Sequence, residues 1–401
     1  MNEENDVAVV LGTRPEIIKL AGVIRNLGPR ASILYTGQHR DDELFESFFR
    51  TFKLPQPQLL LTGISGSHRS VQISRATYQL ADHFRRTRPR VVVVQGDTNS
   101  TLAGAQAANY CGIPVLHVEA GLRSNDRTMP EEINRRLVSV LADVHCAATP
   151  WNAANLVSEG IPLYAVRVTG NTIVEATCES LPGAEESQEV LRKYDLHEDE
   201  YILATIHRPE NTDDPDRLAE ILDALAEAPI PVVLPVHPRT AGSARTFGLS
   251  DQLSRVRSVP PLDYSTFLAL ASRARLLISD SGGIQEECTI LKKPLVVVRR
   301  NTERPEAIAA GFAVRVSHRR EISEEIDHIL AKSELTRALI NRPCPFGDGK
   351  ASERITEIAL AMAEGAPLPP SDRFNEFSYS IEPHGGQGGA AGRALLRSPV
   401  Q

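Results

Sequence analysis

Short, almost continuously apolar runs alternate with longer amphipathic stretches along most of the chain. The runs 7–11, 91–94, 115–118, 201–206, 232–234, 276–278 and 295–298 are rich in Val, Ile and Leu. That pattern predicts parallel strands buried on both faces. Strands that alternate with helices argue for an α/β architecture. The alternation runs twice, first to about residue 168 and again from 201, with a polar stretch at 183–200 between. The expected domains are therefore 1–169 and 170–349. A helix-like segment at 350–364 is expected to close the chain by packing back on the first domain. The remainder, 365–401, is rich in Gly, Pro and Ser and is expected to be a disordered tail.

Length and composition narrow this picture further. A length of 401 residues suits two ordinary domains. A net charge of −7 counts against general nucleic-acid binding. No apolar run reaches membrane-spanning length, and the acidic start lacks a signal-peptide core, so the expected location is cytoplasmic with no membrane partner. The five cysteines are scattered, and the eleven histidines form no His-Glu-x-x-His pattern, so reduced thiols and no metal are expected.

The chemistry lies where predicted strands end. Gly12-Thr13-Arg14-Pro15-Glu16 follows the first run and opens a helix. Thr13 and Glu16 have capping-box spacing, and Pro15 suits a first helical turn. Arg14 adds a cation where the helix end is already partly positive, which favours an anion joining it. Asp97, in Gln95-Gly96-Asp97-Thr98-Asn99-Ser100, and Glu119, in His117-Val118-Glu119, also fall at strand ends. Glu131 and Glu132 begin a further helix. Each acid has a plain helix-start reading as well, but several on one rim favour an acid/base site. In the second half, His207-Arg208 and His237 follow strands. Ser281-Gly282-Gly283 offers backbone N–H groups at a helix start, as a pyrophosphate requires. Glu286 and Glu287 follow, and Arg304 precedes another proline-started helix.

Together GTRPEIIKL, GDTNS, HVEAGLRS, MPEEINR, TGNT, HRPENTDD, SDSGGIQEE and NTERPEA, in this order over roughly residues 7–360, resemble the non-hydrolysing UDP-N-acetylglucosamine 2-epimerases. The wording is closest to the archaeal-type branch. The resemblance implies a glycosyltransferase-B-like fold of two Rossmann-like domains with parallel sheets, an active site in the inter-domain cleft, and a homodimer. It implies that Ser281, Gly282, Gly283 and Glu287 hold the uridine diphosphate. Arg14, Lys19 and Arg304 would lie near the phosphates and Phe267 near the uracil. His207 would stand at the nucleotide and join Asp97, Glu119 and Glu131 in the catalytic set. In bacterial members a glutamine from the region of 38–42 helps bind a second, activating UDP-sugar, which makes Gln38 and His39 the allosteric candidates. The chain departs from the bacterial pattern in a shorter loop between Glu119 and Pro130, in Pro209, and in Asp41.

The activity implied is reversible C2 epimerisation of UDP-N-acetylglucosamine. The C2 hydrogen has no neighbouring carbonyl, and no nicotinamide fingerprint offers an oxidative route, so no cofactor is expected. Departure of the anomeric phosphate would acidify C2–H, a carboxylate would remove the proton, and UDP would add back to the resulting 2-acetamidoglucal. Three neighbours of this reading are an epimerase of a modified UDP-N-acetylhexosamine, a hydrolysing relative that releases N-acetylmannosamine, and a glycosyltransferase of the same fold. The Arg14-Pro15-Glu16 wording counts against the hydrolase and the acidic rim against the transferase. A non-catalytic UDP-sugar sensor is least favoured by that rim.

Overall fold

The computed structural model describes residues 5–38 and 48–370; His39 and the tail beyond 370 lie outside the described residues. The chain divides into two compact units. One runs through Ala176 and resumes at Phe346; the other spans Thr177–Pro345.

The first unit carries β1 (Val7–Leu11), β2 (Ala31–Tyr35), β3 (Leu59–Leu60), β4 (Val91–Gln95), β5 (Val115–Ala120), β6 (Val144–Ala147) and β7 (Val166–Val168). They form one sheet in the order β3-β2-β1-β4-β5-β6-β7, every pair parallel. The second unit carries β8 (Ile202–Thr205), β9 (Val232–Pro235), β10 (Arg257–Val259), β11 (Leu276–Ser279), β12 (Leu295–Val298) and β13 (Ala313–Val316). Their order is β10-β9-β8-β11-β12-β13, again all parallel. Each sheet has its own apolar core, one around Val10, Leu80, Phe84 and Val94, the other around Ile202, Leu222, Ile278 and Val296.

The all-apolar runs are strands, buried along their whole length in β1, β4, β5, β11 and β12. Six further strands escape the hydrophobic pattern. β3 has two residues, β10 is an exposed edge led by an arginine, and β7 and β13 each carry an inserted arginine. These four are the edge strands, which bury too little to need an unbroken apolar run, whereas β2 and β6 are interior and fully buried, their runs interrupted by Ser32 and His145.

The order of each sheet decides where ligands are held. In the first, strand order reverses between β1 and β4; in the second, between β8 and β11. Such reversals open a crevice beyond the carboxyl ends of the two strands. The Gly12–Glu16 and Gly96–Ser100 turns follow β1 and β4, and the His207-Arg208 and Ser281-Gly282-Gly283 turns follow β8 and β11.

The first crevice is braced by the end of the described chain. Helix Ala351–Glu364 packs on helix Arg14–Leu27. Gly22 permits that approach, since a Cβ there would lie 2.4 Å from Ser352 Oγ. Glu175 accepts the backbone N–H of Ala351 at 3.0 Å and of Ser352 at 2.7 Å. A carboxylate at that helix start also suits the helix dipole.

Candidate functional site

The Gly12–Glu16 turn is built around Glu16. Its buried carboxylate accepts the N–H of Gly12 (2.9 Å) and Thr13 (2.7 Å) and the Thr13 hydroxyl (2.8 Å). From the next turn it also accepts the hydroxyls of Thr98 (2.7 Å) and Thr101 (3.2 Å). Burial raises its pKa against these bonds. Glu16 thus ties the turn after β1 to the turn after β4, while Arg14, at the helix start, remains exposed. Gly12 admits no side chain: a Cβ would lie 2.0 Å from Thr36 Oγ1 and 2.1 Å from Ser100 Oγ. Gln38 joins the same knot, its amide oxygen accepting both the N–H and the hydroxyl of Ser100 at 2.9 Å.

Lys19 does not stand open to solvent. Its ammonium lies 2.6 Å from Glu119 Oε1, both side chains buried. Glu119 also accepts the Gln95 amide and, at 3.4 Å, that of Asn171. Its backbone has φ of +59°, where the β5–β6 register shifts between Val118 and Ala120. A left-handed glutamate costs strain that the surrounding bonds offset, a common feature of functional positions.

Asp97 accepts two bonds from Arg135, from Nε at 2.8 Å and Nη2 at 2.6 Å. Arg135 Nη1 in turn donates to Glu132 at 2.9 Å. Asn134 holds the Asp97 carbonyl at 2.8 Å. Of the two adjacent acids, Glu131 is exposed and Glu132 is fully buried. Burial works to raise the Glu132 pKa, but the Ser124 N–H and Arg135 outweigh it and hold it low. Sequence reasoning passed over Arg135 and Asn134. Their signal was the spacing of Glu132 and Arg135, three apart on one helix face.

Beneath this rim lie two neutral histidines, His117 and His145, paired in register across β5 and β6. His117 Nε2 donates to the Gly96 carbonyl at 2.8 Å. Burial, then the neighbouring His145, lowers the His117 pKa to about 3; burial, then Arg123, lowers that of His145 to about 4. The folded state therefore binds fewer protons than the unfolded one below pH 6.5. Stability is present in full above that pH and is lost as pH falls toward 4, by on the order of 3 kcal/mol per histidine. Urea midpoints measured from pH 7 to pH 4 should fall along that slope. His145→Asn should flatten it, and an unchanged slope would show that these rings titrate freely.

In the second unit the turns after β8 and β11 meet at Asp280, which is fully buried. His207 lies beside it, with Nδ1 3.0 Å from Asp280 Oδ1. Ser281 occupies the N-cap position of helix Gly282–Leu291 without a side-chain capping bond, and the helix opens with Gly282 and Gly283. A Cβ on Gly282 would lie 2.6 Å from Arg304 Nη1, so the glycine makes room for the guanidinium. Arg304 is buried and bonded to Glu286 at 2.6 Å and to Glu303. Glu303 also sits 2.8 Å from the fully buried Arg299. Like Lys19, then, Arg304 is held by internal carboxylates, because a buried cation needs a partner of opposite charge. Glu287 accepts the Tyr264 hydroxyl at 2.9 Å. Phe267 is half-buried on helix Tyr264–Arg273, one turn along from Tyr264.

Each unit thus presents strand-end turns at a topological switch point. In the first, Arg14 and Asp97 follow the reversal strands, with Glu119 near the end of β5 and Glu131 at the start of helix Pro130–Leu141; in the second, His207 follows β8 and the helix start at Gly282 follows β11, with Glu287 on that helix. The family model of UDP-N-acetylglucosamine 2-epimerases matches residues 25–360. The chain belongs to that family. It is similar to the UDP-N-acetylglucosamine 2-epimerase of Methanocaldococcus jannaschii, 39% identical over 365 residues that cover 88% of this chain and 98% of the relative. The crystal structure of the Methanocaldococcus jannaschii UDP-GlcNAc 2-epimerase in complex with UDP-GlcNAc and UDP superimposes with a TM-score of 0.80 at 38% identity, over 88% of this chain and 99% of that one. A Pseudomonas aeruginosa UDP-2,3-diacetamido-2,3-dideoxy-D-glucuronate 2-epimerase is 36% identical over 365 residues, 89% of this chain and 99% of that protein. The protein is accordingly an isomerase of this epimerase family with a glycosyltransferase-B-like fold. Among the described residues no helix is long and apolar enough to cross a membrane.

Proposed function

We propose that this epimerase interconverts UDP-N-acetylglucosamine and UDP-N-acetylmannosamine by eliminating UDP and adding it back. The observation that carries the reading is the division of chemistry between the two switch points. Carboxylates end β4 and β5 of the first unit, and a Ser-Gly-Gly helix start with a histidine beside it ends the strands of the second. As the C1–O bond breaks, its electron pair goes to the diphosphate. Arg14 and the N–H groups of Gly282 and Gly283 stabilise the charge that develops there. One such donor is worth about 2–4 kcal/mol in the barrier. Positive charge at C1 acidifies C2–H, and one of Asp97, Glu119 and Glu131 takes that proton. Return of a proton to the opposite face and re-addition of UDP give the epimer. Glu287, steadied by Tyr264, holds the ribose, and Phe267 lies by the uracil.

Incubation with UDP-N-acetylglucosamine in deuterated water, followed by NMR, tests this directly. Expected is UDP-N-acetylmannosamine carrying deuterium at C2, with little free sugar. Free N-acetylmannosamine would instead mark a hydrolase, and failure to exchange would exclude this substrate. The likeness to the Pseudomonas aeruginosa diacetamido-glucuronate epimerase favours a second reading, a modified UDP-N-acetylhexosamine. A higher kcat/KM for such a sugar in parallel assays would decide for it.

We further propose a cytoplasmic homodimer. Tyr78, Tyr110, Leu137 and Val140 are exposed on helices Arg69–Thr87, Asn99–Tyr110 and Pro130–Leu141, which pack side by side. An apolar face of this kind fits a second copy of the chain. The molar mass from sedimentation equilibrium tests it.

A further inference from the structure

We propose that Asp280 is a positioning residue that sets which nitrogen of His207 carries the proton and leaves Nε2 as the working atom. The inference rests on His207 acting at the UDP-sugar, but its geometry stands apart from that reading.

Asp280 follows β11 directly and is fully buried, whereas the His207 side chain is 37% exposed. Its carboxylate collects donors from the other turn. Oδ1 accepts the His207 N–H at 3.1 Å and faces His207 Nδ1 at 3.0 Å. Oδ2 accepts the N–H of His207 at 2.9 Å and of Arg208 at 2.8 Å, and the Asn211 amide at 3.0 Å. The Asp280 carbonyl accepts Arg208 Nε at 3.0 Å. An ionised carboxylate can only accept, so Nδ1 must be the protonated nitrogen in the neutral ring. The bonds from His207, Asn211 and Arg208 outweigh burial and hold Asp280 below the usual carboxylate range, which keeps it ionised.

The other groups around the ring do not compete for this role. His237 lies with its ring centre 5.4 Å from that of His207, and its Nδ1 is occupied, accepting the Arg239 N–H at 3.1 Å. Arg208 directs its guanidinium to the Asp280 carbonyl and towards Glu303, 3.6 Å away. One carboxylate therefore fixes the histidine turn against the strand end from which Ser281, Gly282 and Gly283 open their helix. It aims Nε2 outward as a proton donor when charged and an acceptor when neutral.

The test is long-range nitrogen–proton NMR of the full-length, ligand-free protein with labelled histidine, recorded at alkaline pH where the imidazole is neutral. The His207 signals are assigned by their loss in His207→Gln. Wild type is expected to show neutral His207 as the Nδ1–H tautomer. Asp280→Asn should move the proton to Nε2, because the amide oxygen stays with the backbone donors and its NH2 then faces Nδ1. It should also lower kcat by more than it changes KM. An Nε2–H tautomer in wild type, or an unchanged tautomer and an unchanged kcat in Asp280→Asn, overturns the proposal. If Asp280→Asn does not fold, the wild-type tautomer decides alone. No substrate enters the NMR measurement, so a failure of the epimerase reading, seen as absent C2 exchange in wild type, is separate from a failure here.

Discussion

Asp97→Asn is expected to cut deuterium incorporation at C2 by about 10²–10⁴-fold, the range a positioned acid/base group supplies, while the protein stays folded and binds UDP within a few-fold of wild type. The geometry explains both halves. Asp97 spends Oδ2 on the Arg135 fork, at 2.8 and 2.6 Å. An asparagine oxygen can still accept from that fork, and Asn134 still holds the Asp97 backbone carbonyl. Arg135 itself stays anchored by Glu132 at 2.9 Å. What the amide cannot do is take a proton from carbon. The measurement is exchange in deuterated water beside UDP affinity by calorimetry and a circular dichroism spectrum. Exchange at the wild-type rate would remove Asp97 from the chemistry and leave the proton to Glu119 or Glu131. Parallel loss of UDP affinity would make Asp97 a binding group instead.

The reach of the sequence was set by how local each signal is. β1, β4, β5, β11 and β12 were legible because strands covered on both faces require unbroken apolar runs. The turns that follow them were legible because a parallel sheet holds its ligands at strand ends. Long-range pairing left no such mark. Lys19 and Glu119 are a hundred residues apart, and each alone looks like an open functional group. Arg304 looked like a free phosphate ligand because Glu286 and Glu303 gave no hint of turning inward. Glu131 and Glu132 illustrate the finer limit. Both open the same helix, and only packing decides that Glu132 is buried against Arg135 and Ser124 while Glu131 stays exposed. Asp280 read as one more polar residue of a turn, since its role arises from the partners gathered by the neighbouring strand.

Lys19→Met is expected to lower the stability of the ligand-free protein by about 3–5 kcal/mol, the cost of breaking a buried ion pair from one side. The pair spans 2.6 Å with both side chains almost wholly buried. Methionine nearly conserves the volume of the lysine stem, so packing changes little. The loss comes from taking a positive charge away from a buried carboxylate whose backbone is already held at φ +59°. Glu119→Gln should cost a comparable amount by leaving the ammonium buried. The double variant should lose much less than the sum, because two neutral groups replace two charged ones. Urea denaturation of the four proteins without ligand closes the cycle. Were Lys19 chiefly a phosphate ligand, Lys19→Met would be close to neutral here, the coupling would vanish, and only UDP affinity would fall.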